Sequence, residues 1–158
     1  MNITVISVGK IKEKYFTAAI DEYSKRLSRF AKLNIIEVAD EKIPDNASEK
    51  EMEQIKEKEG NKILAKLPQN SFVVTLCIEG KEYSSEELAK KIADISMTSS
   101  HITFIIGGSL GLSDTVKSKS VLRLSFGKMT LPHQLMRVVL LEQIYRAFKI
   151  NNNESYHK

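Results

Sequence analysis

Two loops carry the residue types from which a ligand site could be built. The first is Gly107-Gly108-Ser109-Leu110-Gly111, after the apolar run 102–106, and the second is Phe126-Gly127-Lys128-Met129-Thr130-Leu131-Pro132-His133, after the run 121–126. The glycines do not sit at positions one, three and six of the dinucleotide fingerprint, and no Gly-Lys-Ser/Thr follows as in a P-loop, so a phosphate cradle is not supported. They offer instead a permissive turn with no side chain in a ligand's way. Strand-to-helix turns use glycine for steric reasons about as often. In the second loop Phe126, Met129 and Leu131 give apolar contact, while the Thr130 hydroxyl and exposed backbone amides can hydrogen-bond to a flat heterocycle. That chemistry suits an adenosine-type ligand better than a pyrophosphate. Leu76, near the end of the run 72–77, supplies another wall.

The titratable residues divide by position. His101 begins an apolar run, which puts it at the opposite end of the sheet, in a structural role. His133 opens the last helix, where the positive helix end disfavours imidazolium and leaves a ring able to accept a proton or to organise the loop. His157 lies in the polar tail 151–158, which on sequence alone reads as a frayed terminus. Arg137, about one turn into the last helix, and Lys10, Lys12 and Lys14, just after the first run, are the candidates for phosphate contacts, with solvated lysines as the alternative. Glu142 and Arg146 are spaced to pair along a helix. The three histidines are far apart and there is no cysteine pair, so no metal is expected. The lone Cys77, at the end of an apolar run, reads as a reduced core thiol.

These residues need a frame to hold them. Five apolar, β-branched runs (3–8, 33–38, 72–77, 102–106 and 121–126) alternate with helical segments, the pattern of a parallel sheet with helices packed on it. Both loops then open on the carboxyl edge of the strands, where ligands bind in open α/β folds. Ser48 with Glu51 and Ser84 with Glu87 have capping-box spacing, and Pro132 suits the first turn of the last helix. That helix, 132 to about 150, is apolar on more than one face. Leu135, Val138 and Val139 line one side, and Met136, Leu140, Ile144 and Ala147 another. A surface helix needs one stripe, so the excess predicts a homodimer, with burial inside one chain as the alternative.

A chain of 158 residues, 42% of them hydrophobic, fills one core and predicts a single α/β domain spanning 1–158. No apolar run reaches the length of a membrane span and no secretion signal opens the chain, so a soluble, cytoplasmic protein without a membrane partner is expected. Net charge is +4, yet residues 37–59 hold nine acidic side chains against four lysines, a balance of −5 that leaves +9 on the rest. A polyanion could dock on that remainder; solvated helix faces are the plainer reading.

Several stretches together resemble one family. They are Ser7-Val8-Gly9-Lys10-Ile11-Lys12, Ile105-Ile106-Gly107-Gly108-Ser109-Leu110-Gly111-Leu112, Leu124 to His133, Leu141-Glu142-Gln143-Ile144-Tyr145-Arg146-Ala147 and the terminal Tyr156-His157-Lys158. The chain is similar over its whole length to the bacterial large-subunit rRNA pseudouridine methyltransferases of the SPOUT superfamily. That resemblance implies a carboxyl-terminal trefoil knot, within roughly 72–150, that binds S-adenosylmethionine. It implies cofactor contacts at Leu76, Gly107, Phe126, Gly127, Lys128, Met129, Thr130 and Leu131. It also implies a homodimer that methylates N3 of a pseudouridine in 23S rRNA within the assembled ribosome. The tail 151–158 then belongs to the acceptor side: Tyr156 to stack on a base, His157 as an acid-base group alongside His133, and Lys158, like Lys10, Lys12, Lys14 and Arg137, to meet phosphate. Which group takes the acceptor's proton stays open at this stage.

Overall fold

Period-two alternation in the five runs sends successive side chains to opposite faces of a sheet, and both faces are apolar, which calls for helices on each side. The computed structural model describes residues 1–158 and has that arrangement. Its order is β1 (Asn2–Val8), α1 (Lys14–Leu27), β2 (Lys32–Val38), α2 (Glu49–Lys66), β3 (Phe72–Glu82), α3 (Ser85–Ser96), β4 (His101–Ile106), α4 (Asp114–Ser118), β5 (Leu122–Ser125) and α5 (His133–Asn151). All strand pairs are parallel, in the order β2-β1-β4-β3-β5.

The two faces bury separate cores. Ile3, Val5, Ile102, Phe104 and Ile106 pack with Leu27 of α1, Leu88 and Ile92 of α3, and Leu140, Leu141 and Ile144 of α5. Ile6, Val8 and Ile105 face the other way, against Ile63 of α2 and Val116 of α4. The parity switch between Val5 and Ile6 is what divides them. Both predicted capping boxes form: Ser48 accepts from the Glu51 amide and Ser84 from the Glu87 amide, and each glutamate reaches back to its cap amide. Pro132 stands one residue before α5, at its cap, rather than inside the first turn.

The largest difference from the sequence reading is in β3. Its pairing with β5 continues to Glu82 after an excursion, because Leu76 and Lys81 both lie opposite Leu124 and residues 77–80 loop out between them. Gly80 makes the crossing possible: a Cβ there would stand 2.7 Å from the Arg123 carbonyl oxygen. Ser125 fastens the excursion by donating its hydroxyl to the Ile78 carbonyl (2.9 Å) and accepting from the Gly127 amide (3.1 Å). An apolar run that ends at Cys77 gives no sign of a strand that resumes on polar residues.

Candidate functional site

Three strand ends and a helix start meet at the carboxyl edge. The turn after β4, the loop after β5, the excursion of β3 and the start of α5 enclose a cavity of about 860 Å³. Leu76, Gly107, Phe126, Gly127, Met129, Thr130 and Leu131 all line it, so sequence positions more than fifty residues apart converge as expected for this edge. Lys128 is the exception among the expected contacts: its side chain is exposed and does not line the cavity. Gly107 is demanded by the turn itself. A Cβ there would lie 2.8 Å from the Gly111 carbonyl carbon, so a larger residue would disrupt the turn before it met any ligand. Gly111 has a positive φ of 85°, which glycine accepts without strain.

Other residues of the cavity were not singled out by sequence. Lys56 of α2, Glu79 of the excursion and Lys117 of α4 line it, and Lys117 donates to Glu79 over 2.7 Å. This hydrogen bond holds the Glu79 carboxyl below, and the Lys117 ammonium above, its ordinary range. Cys77 also lines the wall. It is buried, its thiol is pushed up by desolvation, and its hydrogen bond to Thr75 only partly offsets that. The thiol therefore stays protonated, as a core residue should.

His133 faces the same cavity from the first turn of α5. Its ring packs over Gly9, where an added Cβ would meet Cε1 at 3.4 Å, and its Nδ1 is buried without a partner. Burial and the nearby Arg137 guanidinium depress its pKa, so the imidazole is neutral at pH 7. Beneath the glycine turn lies Glu59, 5% exposed, whose Oε2 accepts from the Glu41 amide at 2.9 Å. Burial is the main cause raising its pKa.

Arg137 requires a correction. Rather than presenting its charge to a polyanion, it is 3% exposed and points inward. It donates to Glu37 (2.6 Å) and to the carbonyls of Val8 (2.9 Å) and Gly9 (2.8 Å). The two carbonyls at the end of β1 and the Glu37 carboxylate on β2, in a dry corner, draw a guanidinium more strongly than solvent does. Lys10, Lys12 and Lys14 are exposed on the segment after β1, at the cavity's edge of the sheet. His101 lies at the other end, paired opposite Asn2 and hydrogen-bonded to Thr4 at 2.8 Å.

The tail is ordered by a network rather than frayed. Tyr156 donates its hydroxyl to Glu142 (2.6 Å), which also accepts from Arg146 (2.6 Å). Arg146 in turn stands 3.1 Å from His157 Nδ1, while His157 Nε2 lies 2.6 Å from Glu86 of α3. Because a guanidinium only donates, Nδ1 accepts and Nε2 carries the hydrogen given to Glu86. Tyr156 also sits edge-on to Tyr145 at 5.0 Å, beneath the Arg146 guanidinium. The bond to Glu142 pushes the phenol up to about 12. Lys158 is exposed at the chain end. Arg146 is thirteen residues beyond His133 on α5, or about 20 Å along the helix axis. Within one chain, then, the tail and the cavity are separate sites.

No three His, Cys, Asp or Glu side chains converge as a metal-binding group, and no helix is long and apolar enough to cross a membrane. Comparison with known proteins gives concordant matches. A family model described as "Predicted SPOUT methyltransferase" matches residues 1–157. Proteins named ribosomal RNA large subunit methyltransferase H from Clostridioides difficile (strain 630) and Clostridium novyi (strain NT) are 60% and 62% identical, over 100% of both chains in each case. A solved structure of a probable methylase family protein from Haemophilus influenzae Rd KW20 shares the fold at a TM-score of 0.53 and 14% identity, covering 99% of this chain and 70% of that one.

Proposed function

Because the chain belongs to the SPOUT methyltransferase family, we propose that it methylates N3 of a pseudouridine in 23S rRNA on the assembled ribosome, using S-adenosylmethionine. The observation that carries this reading is the cavity at the carboxyl edge, lined by an apolar wall, a glycine turn and a loop rich in free backbone amides. Adenosine needs that combination, and a pyrophosphate does not. Leu76, Gly107, Phe126, Gly127, Met129, Thr130 and Leu131 would hold the cofactor; Lys128 contributes through its backbone alone. When bound, the cofactor supplies an electrophilic methyl group on a sulfonium.

The protein's tasks are alignment and removal of the imide proton. His133, neutral and at the cavity, either accepts that proton or fixes the loop against Gly9. Tyr156 and His157 form the acceptor side, Tyr156 by stacking on the base and His157 as the acid-base group. Both stand away from the cavity of their own chain, so this assignment requires a second copy whose tail reaches across. The outer side of α5 suits such a copy: Leu135, Val138 and Val139 are only half-buried in the single chain. Lys10, Lys12, Lys14 and Lys158 are free to meet phosphates. The trefoil knot of the family, with the carboxyl-terminal part threaded through a loop, belongs to the same reading. A substrate held in ribosomes places the enzyme in the cytoplasm.

The test is methyl incorporation from labelled S-adenosylmethionine into ribosomes of a strain lacking the modification, with mass mapping of the product. Methylation of one pseudouridine is expected. Binding to the ribosome without incorporation would make the chain a non-catalytic module instead.

A further inference from the structure

The adenosine end of the cavity accounts for its apolar and backbone lining but leaves three charged side chains unused: Lys56, Glu79 and Lys117. They come from α2, the β3 excursion and α4, on the layer opposite α5. The Lys117 side chain is only 21% exposed, and its ammonium lies 2.7 Å from Glu79 Oε1. Lys56 is similarly withdrawn, at 22%, and pairs with Glu53. Apart from these, His133 and the buried, protonated Cys77 thiol, nothing lining the cavity is ionisable. An ion pair set into the wall of a ligand cavity is poorly explained by stability, since partly exposed pairs contribute at most about 1 kcal/mol. Its chemistry matches a ligand carrying both charges on neighbouring atoms.

Resting on the reading of the cavity as a methyl-donor site, we infer that Glu79 and Lys117 receive the amino-acid end of the donor. Glu79 takes the α-ammonium, and Lys117, with Lys56 beside it, takes the α-carboxylate. The excursion of β3 acquires a purpose from this, because without residues 77–80 looping out no carboxylate would stand on that wall. Charge-assisted hydrogen bonds replace the internal pair one for one, so the wall loses no partner when the ligand enters.

The discriminating probes are S-adenosylhomocysteine, which has the amino-acid end, and 5′-methylthioadenosine, which lacks it. Calorimetry on the full chain should show the wild type binding the first about tenfold or more tighter than the second. Lys117→Met and Glu79→Gln should each erase most of that difference while leaving methylthioadenosine affinity unchanged, and Lys117→Arg should keep it. Equal weakening of both ligands, or of neither, would overturn the assignment. So would weaker binding of an rRNA fragment with S-adenosylhomocysteine affinity intact. If the wild type bound neither nucleoside, the methyl-donor reading itself would fall, a result distinct from loss of discrimination.

Discussion

Arg137 Nη1 lies 2.6 Å from Glu37 Oε2, so a buried guanidinium on α5 holds the end of β2 while its Nη2 holds the carbonyls that end β1. Glu37 also accepts from the Ile11 amide at 3.2 Å. One side chain thereby fixes α5, both strand ends and the segment that bears the exposed lysines.

Removing either partner should be costly, but unequally. Glu37→Ala leaves a charge buried with carbonyls alone and should destabilise by about 3 kcal/mol. Arg137→Met leaves a carboxylate that is 37% exposed and can be hydrated, so a smaller loss of about 2 kcal/mol is expected. Urea denaturation of the two variants checks the order; a costlier arginine variant would contradict it.

His133 predicts an acid-side instability. Its folded pKa lies below the ordinary 6.5, so the unfolded chain takes up the proton first. The ring's contribution is complete above about pH 6.5 and is lost as pH falls below it. Thermal melts from pH 7.5 to 5 should show that decline, and His133→Gln should flatten it.

Glu59 predicts the opposite sign. Its folded pKa is raised from 4.5, so stability falls as pH rises through the window above that value. Glu59→Gln keeps an acceptor for the Glu41 amide without the buried charge. The variant should melt higher than wild type at pH 8 and gain nothing at pH 4; a lower melting point at both would show that the carboxylate itself is needed.

The tail and the cavity should separate functionally. Deleting Tyr156 to Lys158 should cut methyl transfer at least about 100-fold, while S-adenosylhomocysteine affinity changes less than about twofold, because the network on Glu142 and Arg146 touches no cavity residue. Calorimetry beside the ribosome assay measures both, and unchanged transfer would remove the tail from the acceptor side.

Strand positions, both capping boxes, the lone core thiol and the meeting of Leu76, Gly107 and the 126–131 loop were legible because each rests on local rules. Side-chain period sets strands, serine and glutamate three apart set helix starts, and parallel connections bring loops to one edge. What the amino-acid order could not convey was where long side chains would turn. Arg137 has the type and spacing of a surface cation, yet the free carbonyls of Val8 and Gly9 take it inward. His157 sits in a polar tail, yet Arg146 and Glu86 hold it. The Lys117–Glu79 pair exists only because β3 leaves β5 for four residues and returns. Such pairings span 11 to 129 residues of chain, and their energies depend on which partners the fold makes available and how dry it keeps them, a property of the assembled layers rather than of any segment.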